Sequence, residues 1–194
     1  LAVNDGEVYV QHANALGDIS AVTTVSQGAA LVYNLPTATT VAAEPLTISG
    51  AGFLNDNTGA LRSIGAGTVT HGATIAIGSS NTVIGVTGAG DFNAQGAITF
   101  GTSFNTIKVG DGVLELSGGA TNTATTSNLY VNQGTLRLNR AGTDLGAPAG
   151  LTLNIGDNDG AADSDRIVYA ASNQIAGNVV INRTGKLDFG GSTD

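Results

Sequence analysis

Apolar and polar residues alternate in short runs along the whole chain. Val8 and Val10, Leu114 and Leu116, and Leu136 and Leu138 each bracket a single intervening residue. The runs TIAI at 74–77, AITF at 97–100 and LYV at 129–131 behave alike. A period of two is the mark of a strand with one buried face. No segment holds apolar residues at i, i+3, i+4 and i+7 for long, and β-branched residues are common throughout, as strands prefer. The pattern predicts an all-β chain built from many short strands.

Glycines punctuate these runs with a register. An apolar residue, two others and then Gly occurs as VNDG (Val3–Gly6), VSQG (Val25–Gly28), IGAG (Ile64–Gly67), VGDG (Val109–Gly112), VNQG (Val131–Gly134) and LNIG (Leu153–Gly156). TGAG (Thr87–Gly90) fits with a polar first residue. From Gly6 through Gly28, Gly67, Gly90, Gly112 and Gly134 to Gly156, the numbering advances in steps of 22, 39, 23, 22, 22 and 22. A helix-free unit of about 22 residues with two or three strands can close as one coil of a parallel β-solenoid. Strands of successive coils would pair about 4.8 Å apart, with inward residues stacked in columns. Glycines would stand at the corners, and outward Thr and Asn could form hydrogen-bonded ladders. Dividing 194 residues by the repeat predicts nine coils in a rod of roughly 40 Å. The step of 39 predicts an irregular coil near 33–61, where Pro36 and Pro45 also sit. A β-sandwich would not require so constant a register.

Composition supports a narrow core rather than a bulky one. The 194 residues include 29 Gly, with 41% hydrophobic, 5% aromatic and 11% charged residues, against about 25% charged in an ordinary domain. There is no Cys, which excludes disulfides and thiolate metal sites. The net charge is −8 and the 7 Lys and Arg form no basic patch, so nucleic acid is not an expected partner. No apolar run is long enough to span a bilayer, and no signal peptide is visible. The chain starts at Leu1 and stops within a strand-and-turn pattern at Asp194, so it reads as a segment of a longer repeat protein.

GDGVLELS (Gly110–Ser117), then Gly118–Asn122, then YVNQGTLRL (Tyr130–Leu138) resembles the autotransporter-associated β-strand repeat. The match departs from that motif at Thr123–Ser127, where TATTS replaces an aromatic-Thr-Gly-Gly-Thr run. VNDGEVYVQHANALG (Val3–Gly17) also matches VNQGTLRLNRAGTDLG (Val131–Gly146) with one inserted residue. LTISGAG (Leu46–Gly52), TGALR (Thr58–Arg62) and TVIGVTGAG (Thr82–Gly90) are similar to segments that precede this repeat in long surface proteins. The resemblance implies a right-handed parallel β-helix in the exported passenger region of an autotransporter-like or giant bacterial cell-surface protein. It implies a stalk, adhesin or surface fibre.

Candidate chemistry is sparse. His12 and His71 lie far apart in the chain without a ligand cluster in sequence, and both are expected at the surface. The GxG pairs Gly50/Gly52, Gly65/Gly67, Gly88/Gly90 and Gly110/Gly112 lack the rest of any phosphate-binding motif, so they read as solenoid corners. GDNDGAADSDR (Gly156–Arg166) gathers Asp157, Asp159, Asp163 and Asp165 in what should be a loop bulging from the rod. Carboxylates at that density make calcium a candidate ligand. The EF-hand spacing fails because Ile155 takes the first ligand position, and the nonapeptide repeat fails too, so a solvated acidic loop is the expected state. Asp91 with Asp111 or Glu115 would fall near one edge of successive coils, as a glycosidase carboxylate pair requires. No Arg, Lys or aromatic platform is read beside them in sequence, and the chain has no Trp to stack on sugar.

The expected function is a non-catalytic, extracellular structural or adhesive module with no cofactor. Its expected partners are a second copy, end to end or side by side, or glycans and other components of a host or neighbouring cell surface. A self-assembling filament subunit and a polysaccharide lyase or hydrolase are the alternatives.

Overall fold

A computed structural model of the chain describes residues 1–142 and 146–193. Its strands form three parallel sheets in which each strand pairs with its equivalent one coil away. Sheet A holds Ala2–Val3, Thr23–Val25, Leu46–Ile48, Ile75–Ile77, Ile98–Thr102 and Thr123–Thr125. Sheet B holds Gly6–Val10, Ala29–Tyr33, Leu61–Ser63, Thr82–Val86, Asn105–Val109, Ser127–Val131, Leu151–Ile155 and Asn178–Ile181. Sheet C holds Thr39–Val41, Val69–His71, Phe92–Ala94, Val113–Gly118, Gly134–Arg140, Asp165–Tyr169 and Gly185–Asp188. The chain visits A, B and C in turn, so it is a parallel β-solenoid.

The eight strands of sheet B count eight coils rather than nine. Regular coils match the glycine repeat: Leu114 pairs with Leu136, a step of 22 in the numbering, and Leu61 with Ile84, a step of 23. Two coils are longer. Leu31 pairs with Leu61, a step of 30, and Leu136 with Ile167, a step of 31. These insertions absorb the missing coil.

Alternation produces the columns. Val69, Phe92, Leu114, Leu136, Ile167 and Leu187 stack inside sheet C. Leu46, Ile75 and Ile98 do so inside sheet A. Apart from the partly buried Leu187, these residues are almost wholly removed from water. Each such side chain contributes about 1.5–3 kcal/mol through burial. On the outside, Asn105 donates to Asn81 Oδ1 at 3.3 Å and Asn128 to Asn105 Oδ1 at 3.0 Å, an asparagine ladder climbing three coils.

The extra residues of the first long coil form a flap over sheet B. Ala51–Ala60 leaves the coil through a short 3-10 turn, Phe53–Asn55, and Leu54 N–H donates to Gly28 O at 3.1 Å. Thr58 O closes on Gly85 so tightly that a Cβ there would overlap it. Ala29–Tyr33 and Thr82–Val86 are consequently buried at all five positions, outer face included.

The recurrent glycines do not form one column. Gly6 and Gly28 lead into sheet B strands at the A–B corner, with φ of 81° and 85°. Gly67, Gly90, Gly112 and Gly134 lie at the B–C corner, where a Cβ on Gly90 would overlap the Gly67 carbonyl. Gly156 follows a sheet B strand and packs against Thr184 and Gly185. The step of 39 thus combines a long coil with a change of corner. Likewise, the strand in VNDGEVYV belongs to sheet B and that in VNQGTLRL to sheet C.

Candidate functional site

The acidic segment forms one wall of a pocket at the B–C corner. Ile155 ends its sheet B strand, Gly156–Ser164 loops outward, and Asp165 opens the next sheet C strand. Asp165 is therefore not part of the bulge. It shares the inward face with Ile167 and Tyr169 and is 1% exposed. Asp111, Asn132, Gln133, Asp157, Asp159 and Asp165 line a cavity of about 340 Å³. Successive corners thereby add Asp111 to the three lining aspartates of the 157–165 segment. Asp163 is not among the lining residues, and its Oδ2 lies 3.5 Å from Lys186 Nζ.

Hydrogen bonds set these carboxylates in place. Gln133 Nε2 donates to Asp111 Oδ1 at 2.6 Å, and Gly110 N–H donates to Gln133 Oε1 at 3.0 Å. Asp159 N–H donates to Asp157 Oδ1 at 2.9 Å. Ser164 Oγ donates to Asp165 Oδ1 at 3.1 Å, while Asp165 Oδ2 is buried without a partner among the described residues. At the same corner, Lys108 occupies an inward position in register with Ile84 and Val131. Its Nζ donates to Gly110 O at 2.6 Å, Gln133 O at 2.8 Å and Val109 O at 3.3 Å. Burial pushes the Lys108 ammonium down to about 7, against the pull of Asp111 and Asp165. Among the described residues, no three His, Cys, Asp or Glu side chains are close enough to hold a metal ion.

A second cluster lies on the outer face of sheet C. Arg137 Nη1 stands 3.3 Å from Glu115 Oε2 and 3.7 Å from Asp91 Oδ2. Asn139 Nδ2 donates to Glu115 Oε1 at 2.7 Å. Burial raises the Asp91 carboxyl above its ordinary range, with Arg137 opposing the shift and Glu115 adding to it. A basic residue does accompany the carboxylate pair, because Glu115 and Arg137 are register partners on adjacent coils. Asp111 belongs to the corner pocket instead.

The histidines divide. His12 is exposed, but His71 is fully buried, which corrects the surface expectation. Val69 and His71 alternate on one strand, so both face inward. The His71 ring stacks on Phe92 with centroids 6.5 Å apart, and neither ring nitrogen has a hydrogen-bond partner among the described residues. Burial pushes its pKa down to about 4. Tyr33, also buried against Phe92, has its phenol pushed upward by burial and by Glu44. Glu44 accepts a hydrogen bond from Thr23 Oγ1.

Arg140 is the largest polar group that sequence reasoning missed. It is wholly buried. Its guanidinium donates to Gln95 O and Gly96 O at 2.8 Å each, to Ser117 O, and to Asn122 Oδ1 at 2.9 Å. Asn122 in turn receives the Ile98 N–H at 2.8 Å and donates to Gly146 O at 2.9 Å. One arginine thus ties successive coils together. The only signal in sequence is its inward parity with Leu136 and Leu138.

Fold and sites together define a β-solenoid protein with an acidic corner pocket. Comparison with protein-family models, curated proteins and solved structures finds no match. The resemblance to the autotransporter-associated repeat therefore rests on its motif residues. No helix among the described residues is long and apolar enough to cross a membrane.

Proposed function

We propose that the chain is a non-catalytic segment of an extracellular bacterial stalk or adhesive fibre. The observation that carries this reading is the continuity of the stack. Every coil is joined to the next by parallel pairing in at least two of the three sheets. Such a rod sets distance and presents its outer faces, and its stability accumulates from contacts between neighbouring coils. Negative-stain imaging and a panel of acidic and neutral polysaccharides test the proposal together. Rods without turnover are expected, and any turnover abolished by Asp91→Asn would overturn it.

Self-assembly into a filament is supported by exposed apolar side chains on sheet B. Tyr9 on Gly6–Val10 and Val180 and Ile181 on Asn178–Ile181 stand exposed to solvent. Concentration-dependent growth of rods in light scattering would favour this reading. A polysaccharide-acting enzyme finds support in the Asp91, Glu115 and Arg137 cluster, which the same panel probes.

A further inference from the structure

We infer that the B–C corner pocket binds an amino sugar with a free amine, Asp165 Oδ2 accepting from its ammonium group in the field of the Asp111, Asp157 and Asp159 carboxylates. Four carboxylates face one cavity, and the basic group beside them, Lys108, is already held by three carbonyls. The field in the cavity therefore favours a cation. Asp165 adds an independent pointer: its residue is 1% exposed, it lines the cavity, and its Oδ2 has no partner among the described residues. A buried carboxylate oxygen without a donor is costly, and an incoming N–H would remove that cost.

The geometry selects among cations. A bare calcium ion needs 6–8 oxygens at about 2.3–2.6 Å, and no three carboxylates among the described residues are close enough to hold a metal. The cavity of about 340 Å³ instead lies in the range of small-molecule pockets, about 300–1,000 Å³. An ammonium group needs only one or two carboxylate oxygens within hydrogen-bond reach, and the other carboxylates around the cavity act on it through their field. The lining residues are all polar or glycine, which suits a hydroxylated ring. Asn132 adds an amide suited to a sugar hydroxyl. The same corner already seats the ammonium of Lys108 on carbonyls at 2.6 and 2.8 Å.

The site is scored by binding and the stalk by imaging, so either can fail alone. The chain is titrated at low ionic strength with glucosamine, N-acetylglucosamine, 1,5-diaminopentane and calcium chloride, followed by amide chemical shifts. Glucosamine is expected to bind one to one and shift amides around Gln133 and Asp157. Its affinity should fall at least tenfold on N-acetylation and in Asp157→Asn and Asp165→Asn, and stay unchanged in Asp163→Asn. Asp157 lies on the exposed loop, so its variant remains informative should Asp165→Asn fail to fold. Diaminopentane binding as tightly as glucosamine would overturn the sugar assignment. One-to-one calcium binding lost in the same variants would replace it with a metal site. No saturable glucosamine shift, or one indifferent to Asp157, would also overturn it.

Discussion

His71 provides a test of how this narrow core treats charge. Its ring is enclosed against Phe92, and neither nitrogen has a partner among the described residues. Its pKa of about 4 lies well below the ordinary value of 6.5. The folded pKa is the depressed one, so below pH 6.5 the unfolded chain takes up a proton that the folded chain refuses. Stability is therefore fully present above about pH 6.5 and is lost as pH falls towards 4. At about 1.36 kcal/mol per pH unit, the whole window removes about 3 kcal/mol. His71→Leu keeps similar bulk and removes both unpartnered nitrogens. It should stabilise the fold by about 1–3 kcal/mol at pH 7. It should also flatten the fall in stability between pH 6.5 and 5, a range above most carboxylate titrations. Denaturant unfolding of both proteins across this range measures the difference, and the His71 ring proton shifts locate its midpoint. Parallel pH profiles, or a His71 midpoint near 6.5, would refute the reasoning.

Other substitutions probe the joints between coils. Arg140→Met leaves the carbonyls of Gln95, Gly96 and Ser117 without their donor, and should lower unfolding stability by about 3 kcal/mol in denaturant titration. Gly90→Ala drives a Cβ into the Gly67 carbonyl, whereas Gly119→Ala meets nothing within 4 Å. The first should cost more than about 2 kcal/mol and the second less than about 0.5 kcal/mol, as thermal melts of the pair would show. Asn105→Ala breaks both links of the outer ladder, and should cost about 1 kcal/mol with faster amide exchange near Asn81 and Asn128.

Much of the rod was legible because its signals are local. Leu114 and Leu116 name their own inward face through period two, and the repeat length follows from recurring glycines, of which Gly67, Gly90 and Gly134 are crowded by neighbouring backbone. The pocket was legible only in part. Asp157, Asp159 and Asp165 announced themselves by density, but Asp111 lies two coils earlier in the chain. It joins them because the intervening segment winds around the rod and returns to the same corner. Asp163 sits among them in sequence and pairs with Lys186 instead. Arg137 reaches Asp91 and Glu115 through the same winding. His71 and Arg140 carried inward parity all along, but their polarity masked it.

By itself the sequence determined the strand period, the size of a regular coil and the parallel stacking that follows from a recurring cross-section. A motif such as VNDG or VNQG encodes a turn followed by a strand, and that conformation is set locally. Which corner the turn occupies is not local. It depends on how much chain the preceding sides consumed, so Gly6 and Gly134 share a motif yet serve different corners. Tertiary structure alone decided where the insertions fold back, which charges enter the core, and which aspartates meet. Those outcomes depend on contacts between coils, and the residues that make them stand one or more full turns apart in the chain.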